Sequence, residues 1–235
     1  MVVRRIQDQR INRYDLVSRH NVAINKIDTL GALTVGNGEF AFTVDVSGLQ
    51  TFPGVYENGI PLGTQTQWAW HAFPNTNKYK LSDVAKTFSS CDSTTAARML
   101  VQQSEGRAAE ATNYLRSNPH RLHLAQVGLI ITKANGETAS INDITNTHQE
   151  LDLWRGKIES KYEVDGKPVK VTLYSLQDDD GIVARIESPL LKTGNIKPVI
   201  RFPYAKDCHV IVPATIGTVP ANTQRLSIRH QETSQ

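Results

Sequence analysis

The chain has 235 residues, 39% of them apolar and 21% charged, with a formal net charge of +3; this composition fits an ordered globular protein and excludes a disordered one. Its basic residues are dispersed apart from Arg4-Arg5, which leaves no basic stripe to track the phosphates of a nucleic acid. No apolar run approaches the ~20 residues that cross a bilayer, and the opening MVVRRIQDQR lacks the apolar stretch of a signal peptide. The expected chain is soluble and without nucleic-acid or membrane partners. Its location stays open between cytoplasmic and, where an upstream signal has been cleaved, extracytoplasmic.

In chain order, Gly36-Asn37-Gly38 reads as a tight turn, since Asn-Gly pairs tolerate positive φ. Glu39 to Val46 then alternates, with Phe40, Phe42, Val44 and Val46 on one face and Glu39, Ala41, Thr43 and Asp45 on the other, the period of a half-buried strand. Val35 to His71 also concentrates amides (Gln50, Gln65, Gln67), two of the three tryptophans (Trp68, Trp70) and His71. In a strand, Trp68 and Trp70 share one face and Gln67 and His71 the other. Aromatic rings beside amides and carboxylates suit a pyranose, whose faces stack and whose hydroxyls hydrogen-bond. The structural alternatives are a plain turn at Asn37 and two core tryptophans.

Thr94 to Arg116 carries Ala96, Met99, Leu100, Ala108, Ala111 and Leu115 at helical spacing and predicts one helical excursion near 94–117, with Gly106 as an interruption and Ser117-Asn118-Pro119 as its end. Asn118 to His123 gathers a second set of donors. His120 and Arg121 suit a carboxylate or a sugar hydroxyl, while the spacing of His120 and His123 offers no third metal ligand. Leu122 to Thr132 reads as a strand, Asn135-Gly136 as a turn, and Asp152 to Gly156 as a strand end closed by an Asp-Arg pair. Ile158 to Val164 and Val169 to Leu173 form a hairpin through Asp165-Gly166. Asp178-Asp179-Asp180 reads as a solvated turn, followed by strands at Ile182 to Glu187 and Ile196 to Phe202. Cys91 and Cys208 show no metal spacing; they read as two thiols, with a disulfide as the alternative in an exported protein.

Many short strands without alternating helices predict a mainly β fold, an antiparallel β-sandwich filling 1–235 as a single domain. Hydrolysis of a glycosidic bond needs two carboxyl groups across one cleft. Glu39 and Asp45, on one face of one strand and about 20 Å apart, do not supply them. No serine elbow, Cys-His arrangement, dinucleotide fingerprint or other cofactor motif is present.

Several strings extend this reading: SRHNV at 18–22, LTVGNGEFAF at 33–42, GLQTF at 48–52, PLGTQTQWAWHAFPN at 61–75, LRSNPHRLHL at 115–124, ELDLWRGKIESKY at 150–162 and RFPYA at 201–205. With them the chain resembles the N-terminal β-sandwich region of large bacterial glycoside hydrolases of the six-hairpin, (α/α)6 class. The Gly-Asn-Gly turn is shared loosely with the phosphorylase-like and fucosidase-like members, whereas the longer strings resemble one narrower group. The resemblance implies a super-sandwich of the galactose-mutarotase-like kind that packs on a C-terminal helical catalytic domain. That barrel would carry the catalytic acid and its partner, so no catalytic residue is transferred. The chain is then expected to be the non-catalytic part of a longer enzyme, with Asn37, Glu39, Gln67, Trp68, Trp70 and His71, together with His120 and Arg121, facing a saccharide. The alternatives are a stand-alone carbohydrate-binding module and a mutarotase-like epimerase using a histidine and a glutamate as acid and base.

Overall fold

The computed structural model describes residues 11–90, 93–100 and 105–203, apart from the side chains of 86–90 and 93–100. Helix α1 (Arg13–Ser18) leads into strands β1 (Val22–Ile24), β2 (Leu33–Gly36), β3 (Phe40–Val44), β4 (Thr64–Thr66) and β5 (Trp70–His71). Strands β6 (Ala85–Ser90) and β7 (Ser93–Leu100), helix α2 (Gly106–Ser117), β8 (His120–Arg121) and β9 (Gln126–Ile131) follow. The last part holds β10 (Thr145–Asp152), β11 (Lys157–Val164), β12 (Lys167–Ser175), β13 (Ile182–Glu187), the one-turn helix α3 (Pro189–Lys192) and β14 (Ile196–Arg201).

The architecture is mainly β, and every pairing among the described residues is antiparallel. Strands β1-β10-β11-β12-β13 form one sheet in that order and β2-β3-β4 a second, while β14 pairs with β9, β5 with β8 and β6 with β7. The β11–β12 hairpin is the most regular element because its turn is chemically specified. Asp165 and Gly166 take φ of 50° and 66°, as a two-residue hairpin turn requires, and Val164 faces Lys167 across it.

Alternation directs one face of β2, β3, β11 and β12 inward. Ile158, Tyr162 and Val164 of β11 and Val171 and Leu173 of β12 join Phe42 and Val44 of β3 in one hydrophobic cluster. That cluster also takes in Val35 of β2, Leu129 and Ile131 of β9 and Ile196 of β14, so both larger sheets and the β9–β14 pair contribute to it. Fully burying a side chain such as Phe42 contributes about 2–3 kcal/mol.

Residues 45–52 bridge these layers with polar groups. Asp45 is fully buried; one carboxylate oxygen accepts from the Ser47 N–H at 2.8 Å and the Ser47 hydroxyl at 2.5 Å, and the other from the Phe52 N–H at 2.6 Å. Gln50 joins three strands: its Nε2 donates to the Thr43 carbonyl at 2.9 Å, while its Oε1 accepts from Val127 N–H at 3.2 Å and Thr64 Oγ1 at 3.3 Å. Gly128 makes this crossing possible, because a Cβ there would lie 2.4 Å from the Gln50 carbonyl oxygen.

Four expectations from the sequence are corrected. Among the described residues the helix spans Gly106–Ser117, and Ser93–Leu100 is instead a strand paired with β6, residues 101–104 of the expected helix lying outside the described ones. The Ser93-Thr94-Thr95 start favours extended backbone, and cross-strand pairing outweighs the helix propensity of the alanines that follow. Gly106, at φ 75°, marks the start of the true helix, and Asn118, in extended conformation, ends it before Pro119. Leu122 to Thr132 is strand only from Gln126 onward. Asp45 does not face solvent: β3 ends at Val44 and the chain turns inward. Finally, Trp68 is not in a strand, since β5 begins at Trp70. The Asp152 to Gly156 segment closes β10–β11 as expected, with Arg155 on Asp152 at 2.8 Å. Cys91 and Cys208, and the end of the RFPYA string, lie outside the described residues.

Candidate functional site

The two polar concentrations read from the sequence meet in the short β5–β8 ribbon. Trp70 pairs with Arg121 and His71 with His120 in its register. The Arg121 guanidinium lies over the Trp70 ring, its central carbon 4.4 Å from the ring centroid, and one Nη1 donates to the Thr66 carbonyl. Such stacking of a guanidinium on an indole is electrostatically favourable and fixes both planes.

His71 Nδ1 and His120 Nε2 are 3.3 Å apart, and His120 Nδ1 lies 2.8 Å from the Ser117 carbonyl, so His120 donates to Ser117 through Nδ1 and accepts from His71 at Nε2. Phe73 packs edge-on against His71 at 4.7 Å. Helix α2 anchors this end: the Tyr114 hydroxyl donates to the Phe73 carbonyl at 2.8 Å, and Asn118 Oδ1 accepts from the Phe73 N–H at 2.7 Å. The Asn118-Pro119 bond that leads from the helix into β8 is cis.

Trp68 and Trp70 flank Ala69, which is buried, while the two indoles are 66% and 52% exposed. The backbone tightens here, with Trp70 N–H donating to the Trp68 carbonyl at 3.0 Å. Neither tryptophan is therefore a core residue. Trp68 is held instead from the other sheet, its Nε1 donating to Asp180 Oδ2 at 2.6 Å. Thr66 donates its hydroxyl to the same carboxylate oxygen. A chain of contacts thus runs from Trp68 through Asp180 and Thr66 to Arg121 and Trp70.

Asn37 has a structural task. Its Oδ1 accepts from the N–H groups of Glu39 at 3.0 Å and Phe40 at 2.8 Å, closing the β2–β3 turn, and its Nδ2 donates to the Asp179 carbonyl at 3.2 Å. Glu39 and Gln67 are exposed and joined through backbone, Gln67 N–H donating to the Glu39 carbonyl at 2.9 Å. The structure thus brings Glu39, Gln67 and Trp68 together with the 178–180 turn, and Trp70, His71, His120 and Arg121 into the ribbon beside them.

Asp180 and Thr66 were missed by sequence reasoning. Asp180 sits 112 residues from Trp68, in a run that resembles any solvated turn, and no local pattern could have joined them. His123 does not join His120 as a ligand pair. Its Nδ1 accepts from the Thr64 N–H at 3.1 Å, and burial holds the imidazole below its usual pKa, so it is a neutral ring with the proton on Nε2. Among the described residues no group of three His, Cys, Asp or Glu side chains is placed to hold a metal ion.

Away from the rim, an open cleft of about 430 Å³ is lined by Lys161, Glu163, Lys170, Glu187, Ser188 and neighbouring residues. Its basic side chains are already engaged: Glu159 takes Lys161 at 2.8 Å and Lys170 at 3.1 Å. No protein-family model matches the chain, and no curated protein sequence matches it.

Proposed function

We propose that the chain is a β-sandwich domain of a carbohydrate-active enzyme, binding saccharide at the Trp68–Trp70 rim without cleaving it and working beside a helical (α/α)6 catalytic domain. The observation that carries this reading is the pair of exposed indoles held in fixed orientation, Trp68 by Asp180 and Trp70 by Arg121. A large aromatic surface left in solvent and yet pinned by hydrogen bonding and stacking is poorly explained by core packing. It suits a ligand with an apolar face ringed by hydroxyls. Gln67 and Glu39 are exposed beside it and offer amide and carboxylate partners for those hydroxyls.

The engagement of Asp180 supports the non-catalytic role. Asp180 commits Oδ2 to two donors, which suits positioning rather than proton transfer. The partner helical domain rests on the sequence resemblance, and the shared core of the two sheets is compatible with the super-sandwich it implies.

Titrating tryptophan fluorescence with a panel of mono- and oligosaccharides tests the reading. We expect a saturable change that Trp68→Ala and Trp70→Ala each weaken at least tenfold and that Trp154→Phe leaves in place, since Trp154 packs on Tyr14 elsewhere. No response to any saccharide would overturn it. Interconversion of sugar anomers by the chain, followed by NMR, would replace it with the epimerase reading.

A further inference from the structure

We infer that the rim selects acidic saccharides, with Arg121 receiving the anionic substituent of a sugar that stacks at the tryptophans. This rests on the saccharide reading above and specifies its substrate class. The rim is electrically lopsided. Asp178, Asp179, Asp180 and Glu39, all exposed, lie on the Trp68 side, reached through the Asn37 and Asp180 bonds. Arg121 lies on the Trp70 side, with the His71–His120 pair beside it as hydrogen-bonding groups.

Arg121 is the one positioned to bind. Arg107, Arg155 and Arg185 each meet a carboxylate, at 3.0, 2.8 and 3.1 Å. Arg121 meets none among the described residues; Arg13, Arg19, Arg116 and Arg201 share this, but of these it alone is stacked on a ring. An unpaired arginine is ordinary on a surface when it is free to move. Arg121 is not: the Trp70 face and the Thr66 carbonyl hold its plane, while Nε and Nη2 have no protein acceptor among the described residues. A guanidinium fixed in this way presents its remaining donors as a fork whose geometry matches two oxygens of one carboxylate. Its ordering has already been met by the fold, so less is lost on binding.

The acidic side works with this rather than against it. A carboxylate approaching Trp68 meets like charge, whereas the hydroxyl end of a sugar finds acceptors there. A uronate-like residue is therefore admitted in one orientation, acid group toward Arg121 and hydroxyls toward Asp180. A sulfate ester shares the anionic chemistry but not the planar two-oxygen edge.

Binding of galacturonate, glucuronate and mannuronate trisaccharides, of their methyl esters and of a sulfated trisaccharide distinguishes these cases in calorimetry at low and moderate salt. Esterification removes the charge and leaves the ring. The expected result is that at least one uronate binds about tenfold tighter than its ester, and tighter than the sulfated sugar, with a preference that shrinks as salt rises. Arg121→Gln should bring acid and ester to parity, and Arg121→Lys, which keeps charge but not the fork, should leave an intermediate preference. A sulfated sugar that binds tighter than every uronate reassigns the anion and overturns the carboxylate. Equal binding of acids and esters by the unaltered protein overturns the acidic class while leaving saccharide binding intact. Absence of binding by any of them removes the saccharide reading itself, and the two failures are distinct.

Discussion

Asp45 shows how much a single residue can set against the fold that contains it. Burial pushes its carboxyl up to about 6, although the Ser47 hydroxyl and the N–H groups of Phe52 and Ser47 all favour the charged form. Its charge acts outward as well: burial first, and then Asp45, push the Tyr56 hydroxyl up to about 12, and that hydroxyl accepts from the Val46 N–H at 3.2 Å. Since the unfolded chain binds this proton only near 3.8, the folded state holds more protons between about pH 4 and 6. The contribution of Asp45 to stability should therefore rise as pH falls through that window, by on the order of 2–3 kcal/mol. Glu159 has the opposite sign: Lys161, with Lys170, holds its carboxyl down to about 2, so its contribution is present above pH 4.5 and lost as pH falls below it. Urea unfolding at half-unit steps from pH 7 to 4 should show the native midpoint gaining on that of Asp45→Asn as pH falls, while His123, held below its usual pKa, lowers both alike; a gap between the two that does not change over that range would contradict the assignment.

At the scale of elements, what held and what failed in sequence reasoning separate by range. The Asp165-Gly166 turn was legible because positive φ at two adjacent residues is a local demand, and Asp and Gly meet it. The 93–100 strand was not, because the preference that decides it comes from pairing with β6, while its own alanines argue for helix. The outward reading of Asp45 assumed that alternation runs on past Val44. Likewise the tryptophans could be read as an aromatic pair, but their tethers to Asp180 and Arg121 belong to pairings that no spacing rule encodes. Gly128 illustrates the same limit inside β9. Read alone, it weakens a strand; in the fold it admits the Gln50 backbone, and a methyl group would collide with that carbonyl oxygen. Gly128→Ala should lower stability by about 2–3 kcal/mol in denaturant unfolding, whereas an alanine at Gly136, where a Cβ meets nothing within 4 Å but φ is 86°, should cost only about 1 kcal/mol for backbone strain.

Taken as a whole, the molecule joins two larger antiparallel sheets and a β9–β14 pair through one apolar cluster, with the 45–52 segment supplying buried polar links between them. The rim sits where the two larger sheets meet the β5–β8 ribbon. Trp68 follows β4, Asp180 lies between β12 and β13, and Arg121 belongs to β8 beyond helix α2, so the three come from different stretches of chain. A surface assembled from separated stretches does not survive unfolding in any fragment. Whatever occupies it binds the native chain and not the unfolded one, so occupancy becomes a source of fold stability by mass action. A saccharide at 100 times its dissociation constant should add about 2.7 kcal/mol and raise the melting temperature in step with the logarithm of its concentration. Differential scanning fluorimetry would read that slope in the native chain and its loss in Trp68→Ala, which makes the melting curve itself a screen for ligands whose identity is not yet known.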